Sequence, residues 1–169
     1  HLVDTHDAMF SAMEEMLPQL EELGLVEQLL PEDQCRTEDD ARLVRYIRIF
    51  RRLHPRILAE RRVSRTDIFN AIFGDNKAAK LQAHKAYNNA YRKYFGQVKP
   101  FQPGAYEYLS ALKAMGIKLA VSTNRNREFL DKELDMVDEG RWHNLFDATV
   151  CADDVTEYKP DPQVILKVL

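Results

Sequence analysis

The sequence predicts an α/β fold in which a parallel-sheet core is interrupted by a helical insertion, and three observations predict it. Leu119, Ala120 and Val121 form an apolar run after Gly116 that is too short for a helix and ends in Ser122-Thr123-Asn124. Such a run, bounded by turn signals, reads as a buried strand of a parallel sheet. From Val98 onward strand-like and helix-like pieces alternate, beyond a linker-like stretch Lys99-Pro100-Phe101-Gln102-Pro103-Gly104, which is the pattern of a layered α/β core. Before that stretch the apolar residues follow helical spacing alone.

Thr5 is the N-cap of a first helix, with Met9, Met13, Met16, Leu17 and Leu20 at helical spacing, Pro18 placed to kink it and Gly24 at its end. A second helix opens near Thr37. Its stripe is Leu43, Ile47 and Phe50, widened by Val44 and Leu53, and Pro55 breaks or bends it. Ser64 followed by Asp67 has the form of a capping box, after which Ile68, Phe69, Ile72 and Phe73 face a core until Gly74. The next helix starts near Asp75 and runs through Leu81, Ala83, Tyr87, Ala90, Tyr91 and Tyr94 to Gly96. Beyond the linker, Tyr106, Leu109, Leu112 and Met115 make a helix ending at Gly116, and the strand to Val121 follows. A helix with Phe129, Leu130 and Leu134, a short strand from Ala148 to Ala152, and a last helix opened by Asp161-Pro162 complete the order. Residues 1–7 then begin the core, 8–98 form the helical insertion, and 99–169 return to the core.

Composition narrows the function classes. With 45% hydrophobic and 30% charged residues over 169 positions, the chain buries one good core, or a core with a smaller inserted domain. A formal net charge of -3 singles out no partner class. No apolar run approaches the roughly 18 to 20 residues that span a bilayer, and no basic-then-apolar leader opens the sequence; no membrane partner is expected, and the default compartment is cytoplasmic. Cys35 and Cys151 stand alone without Cys-x-x-Cys spacing, so both thiols are expected reduced. From Arg36 to Arg65 there are ten arginines against four acids, with Arg45, Arg48 and Arg52 on one helical face. A solvated face explains such a stripe, and so does a lid that attracts anionic substrates.

In an open α/β sheet ligands gather beyond the carboxyl ends of the strands, which places Ser122, Thr123 and Asn124 at that edge. Asn124 is positioned to cap a helix beginning near Arg125, whose unpaired N–H groups favour an anion. The strand end is thus a candidate phosphate seat, against the plainer reading of Ser and Thr as turn formers. Alternation turns Ser122 to the opposite face. Asp153-Asp154 reads as loop and cap chemistry rather than as a metal site. The five histidines show no ligand spacing; His143 beside Trp142 reads as packing or a turn.

Taken in order, these residues resemble the motifs of the haloacid dehalogenase (HAD) superfamily, in the branch with an α-helical, C1-type cap that includes phosphoglycolate phosphatases. Leu2-Val3-Asp4-Thr5 resembles the tail of the first motif, Asp-x-Asp-Gly-Thr-Leu-Val-Asp-Ser/Thr. Pro103-Gly104, with Leu109, Leu112, Lys113 and Gly116, resembles the helix leading from cap back to core. Leu119-Ala120-Val121-Ser122-Thr123-Asn124 resembles the second motif, and Lys159-Pro160-Asp161-Pro162 the third. The match covers nearly all of the core half; the cap half matches only as a helical insertion in the expected place.

The resemblance implies a Rossmann-like core and a hydrolase that releases phosphate from a small phosphorylated metabolite through an aspartyl-phosphate, with Mg2+ and without nucleic acid. Thr123 and Lys159 take catalytic roles in it, and Asn124 a substrate contact, to which the charge pattern adds Arg45, Arg48 and Arg52. The family's nucleophile and acid/base aspartates fall ahead of His1, where the motif carries Thr, and its fourth motif, Gly-Asp-x-x-x-Asp, falls after Leu169. Nucleophile and metal ligands are therefore expected outside these 169 residues. The same scaffold serves phosphoglucomutase, phosphonatase and dehalogenase chemistry. A different class is a noncatalytic protein whose Arg-rich cap and tyrosines such as Tyr87 and Tyr91 hold nucleic acid or another anion.

Overall fold

The helix-only half of the sequence folds as a unit of its own, His6–Tyr94, while the chain up to Thr5 joins Phe95–Leu169 in a second unit. A computed structural model of the protein describes residues 2–169. These divisions fall at 5/6 and 94/95, a few residues before the expected 7/8 and 98/99.

In the helical unit, α1 (His6–Met16) buries Ala8, Met9, Phe10, Ala12, Met13 and Met16 and passes into one 3-10 turn, Leu17–Leu20, with Pro18 in its first turn. Helix α2 (Glu38–Phe50) is capped by Thr37, whose Oγ1 accepts from Asp40 N at 3.1 Å, and three acids in its first turn complement the dipole. It buries Leu43, Val44 and Ile47, but Phe50 is 56% exposed. The helix ends there as Arg51 turns left-handed at φ 53°, and the Phe50 ring lies on Tyr46 instead of in the core. Pro55 opens a short helix, α3 (Pro55–Glu60), that the sequence reading took for a break. At the first helical position its missing N–H costs nothing. Helix α4 (Arg65–Phe73) carries the expected capping box: Ser64 Oγ accepts from Asp67 N at 3.1 Å and the Asp67 carboxylate accepts from Ser64 N at 3.0 Å. Helix α5 (Lys77–Tyr91) buries Ala79, Ala83, Ala86, Tyr87, Ala90 and Tyr91. Leu81 sits roughly 200° around the helix from Ala79, which leaves it 59% exposed. Tyr87 packs edge-on against Phe69 and both tyrosines are buried, so neither offers a face to a base.

His84, on α5, meets the Phe69 ring edge-on at 4.6 Å. Burial first, then the Arg65 and Lys80 cations, hold its imidazole down from 6.5 to about 4. Between those values the unfolded chain takes up a proton that the folded chain refuses. This contribution to stability is therefore present above the unfolded value and is lost as pH falls toward the folded one. Thermal melts of the full-length protein at pH 7 and pH 5 are expected to show a lower Tm at pH 5, and His84→Phe is expected to shrink that difference. An undiminished difference would assign the acid sensitivity to other groups.

In the second unit, β1 (Val3–Asp4) pairs antiparallel with β2 (Lys99–Pro100), Val3 opposite Pro100. Phe101 N extends the pairing to Leu2 O at 3.0 Å, so part of the expected linker is strand. Then come α6 (Ala105–Ala114), β3 (Ala120–Ser122), α7 (Arg127–Met136), β4 (Ala148–Val150) and α8 (Gln163–Leu166). β3 and β4 pair in parallel, Val121 beside Thr149, with α7 in the crossover between them, as parallel pairing requires. Asp147 fixes that pairing at its start, its carboxylate accepting from Leu119 N at 2.9 Å. The core gathers Val121, Leu130, Leu134, Val137, Trp142, Leu145 and Cys151, with Tyr106 and Leu109 half-buried against it. Helix α6 has no fully buried residue, and Met115, placed on its inner stripe by spacing, is 75% exposed just past its end. β4 is shorter than expected, because Ala152–Asp154 winds into a 3-10 turn that the Asp154 carboxylate closes on Cys151 N at 2.8 Å. Among the described residues, no helix is long and apolar enough to cross a membrane.

Candidate active site

The apolar run leaves the sheet at Ser122. Thr123 N donates across to Val150 O at 3.0 Å, and the chain then turns on the Thr123 hydroxyl, whose Oγ1 accepts from Arg125 N at 3.1 Å. Helix α7 begins at Arg127, with Asn126 extended at its N-cap position; the expected start near Arg125 under an Asn124 cap is corrected. Its N-terminus is already served by a protein anion, since the Asp153 carboxylate accepts from Arg127 N at 3.1 Å.

Asn124 turns to the loop that carries Lys159. Its Oδ1 accepts from Lys159 N at 2.8 Å and its Nδ2 donates to Lys159 O at 3.2 Å. The Lys159 Nζ reaches back to donate to Ser122 O at 3.0 Å, and the Lys159–Pro160 peptide is cis. Ser122, Asn124 and Lys159 are thus gathered at the carboxyl end of β3 around Thr123. The Ser122 Oγ is buried and has no hydrogen-bond partner among the described residues.

Around this edge lies a polar layer that sequence reasoning missed. The Arg127 guanidinium donates to the Thr149 hydroxyl and carbonyl and pairs with Asp154. The Asp154 carboxyl is held below its ordinary range by the bond from Cys151 N and then by Arg127. Arg125 Nε lies 3.2 Å from Glu133, a carboxylate only 2% exposed. A signal for Glu133 existed, since it sits on the apolar stripe between Leu130 and Leu134; for Arg127 and Asp154, far apart in the chain, there was none. Both carboxylates of Asp153-Asp154 are committed to these contacts. Among the described residues, no cluster of three or more His, Cys, Asp or Glu is placed to hold a metal.

Arg45, Arg48 and Arg52 belong to the helical unit and find partners inside it. Arg45 grips the Glu32 carboxylate through Nε at 3.0 Å and Nη2 at 2.5 Å. Arg48 donates to Leu30 O at 3.0 Å. Arg52 Nε donates to one Glu14 oxygen at 2.9 Å, while the other accepts from Leu53 N at 2.8 Å. Helix α2 ends at Phe50 and Arg51 turns left-handed, so Arg52 lies beyond it and does not share a helical face with Arg45 and Arg48 as the spacing suggests.

A family model described as haloacid dehalogenase-like hydrolase matches residues 55–169. A phosphoglycolate phosphatase of Psychrobacter arcticus is 34% identical over 86 residues, 51% of this chain and 36% of its own length. Pyrophosphatase PpaX of Halalkalibacterium halodurans is 30% identical over 106 residues, 62% of this chain and 46% of its own. The chain therefore spans less than half the length of these relatives. Among solved structures, CbbY of Rhodobacter sphaeroides in complex with phosphate has a TM-score of 0.55 at 20% identity, over 98% of this chain and 65% of its own. That last likeness is one of fold.

Proposed function

The chain belongs to the haloacid dehalogenase-like hydrolases, and from that premise we propose that the whole protein hydrolyses the phosphomonoester of a small metabolite. The observation that carries the proposal is the meeting of the Lys159 loop with the Ser122-Thr123-Asn124 strand end. A carboxylate attacking a phosphate dianion meets repulsion, so the site needs a cation and donors aimed at the equatorial oxygens. Lys159 supplies the cation as a point charge. Thr123 supplies a donor: its oxygen already accepts from Arg125 N, which leaves its one O–H to point at a ligand. The attacking aspartate, and the aspartyl-phosphate formed on it, are assigned to the segment that the motif resemblance places ahead of His1. Magnesium dependence is proposed for the whole protein, with ligands outside these residues.

The names of the relatives, a phosphoglycolate phosphatase and a pyrophosphatase, and a structural neighbour bound to phosphate, support a phosphoryl substrate over a haloacid. Full-length protein is expected to release phosphate from para-nitrophenyl phosphate in magnesium and to stop when a chelator is added. Absence of turnover across a broad panel of phosphomonoesters, or turnover indifferent to the chelator, would overturn the proposal.

A further inference from the structure

We propose that Asn124 is a positioning residue for Lys159, acting through the lysine main chain and not as a substrate contact or helix cap; this rests on the phosphatase reading above. Lys159 sits in an exposed segment between the 3-10 turn Ala152–Asp154 and α8. Two side-chain amides hold that segment. From α8, Gln163 Oε1 accepts from Thr156 N at 2.8 Å and from Glu157 N at 3.0 Å. From the end of β3, the Asn124 carboxamide takes both the N–H and the C=O of Lys159, the two groups that a neighbouring strand would otherwise satisfy. A carboxamide has one acceptor and one donor end, and Asn124 spends both on a single residue. The stem of Lys159 is thereby anchored one residue beyond Thr123, and its ammonium lands on Ser122 O at 3.0 Å. Without the clamp the lysine would keep, among the described residues, only the bond made by its own flexible tip. A point charge on a four-carbon stem works in catalysis only if its base is held, since a displacement of about 1 Å can cost on the order of 10²-fold in rate.

The test is a double-mutant cycle in the full-length enzyme, read against hydrogen exchange at the Lys159 amide. Asn124→Ala is expected to lower kcat by about tenfold or more with little change in KM, because the substrate itself loses no partner. In a Lys159→Ala background the same change is expected to have no further effect on kcat, since a positioning residue has nothing left to position. The Lys159 amide in Asn124→Ala is expected to exchange faster, with Tm close to parental. An Asn124 effect that persists in full without Lys159, or one confined to KM, would make Asn124 a substrate contact and overturn the proposal. Unchanged exchange at Lys159 would overturn the clamp itself. Faster exchange combined with parental kcat in Lys159→Ala would instead bring down the phosphatase role of Lys159, and with it the catalytic purpose of the clamp.

Discussion

Lys159→Ala in the full-length protein is expected to lower kcat by about 10²-fold or more, the loss typical of removing one preorganised electrostatic group. The structure gives that lysine a defined station: its main chain is gripped by Asn124 and its ammonium lies at the end of β3, 3.0 Å from Ser122 O. A charge held there is available as the phosphate and an attacking carboxylate are pressed together, and its attraction grows as charge redistributes in the transition state. Lys159→Arg is expected to rescue poorly, because a broad planar fork cannot take the place of a compact ammonium on a carbonyl and also face a phosphoryl oxygen. Circular dichroism and thermal melts must match the parent before kinetics are compared. Near-parental kcat in folded Lys159→Ala at saturating substrate would leave the Lys159-Pro160 resemblance structural only.

Trp142→Ala is expected to be the most damaging single change to the sheet-bearing unit. Trp142 has no exposed surface, packs in the cluster of Val121, Leu130, Leu134, Val137 and Leu145, faces Tyr106 at 6.2 Å, and donates from Nε1 to Asp138 at 2.5 Å. Truncation would empty the largest volume in that core, at a cost of about 3–5 kcal/mol, and would leave the Asp138 carboxylate with Arg141, 3.3 Å away, but without the indole N–H. Trp142→Phe keeps most of the apolar contact and loses the N–H donor, so it is expected to cost less. Because the chain has two units, a single unfolding midpoint does not report on one of them alone; amide exchange on α7 and β4 is the sharper measurement. Protection of those amides that survives Trp142→Ala unchanged would show that the cluster does not hold the sheet edge.

What the residues determined by themselves is whatever is written within one helix turn or one strand. The helices capped by Thr37 and by Ser64 with Asp67, the buried stripes of α1 and α4, and the parallel strand through Val121 that runs into Thr123-Asn124 were all legible, because periodicity and caps act over three or four residues. The ordered motifs around Thr123 and Lys159 were legible for a similar reason, each being a short local run. Where the sequence reading failed, the deciding partner lay far along the chain or the element ended early. Phe50 keeps helical spacing but falls where Arg51 turns left-handed, and Lys99-Pro100 became a strand only because Val3-Asp4 lies beside it. Asn124 looked like a helix cap by position, and became a clamp because tertiary folding brought the Lys159 backbone within 2.8 Å of its carboxamide. The arginine stripe reads from charge as a solvated face or as a lid for anions, and only the tertiary structure supplied the partners of its members, Glu32, Glu14 and the carbonyl of Leu30. Local patterning selects which backbone hydrogen bonds a segment can make with itself; which side chain meets which distant main-chain group depends on the packed arrangement of elements, and only the tertiary structure decides that.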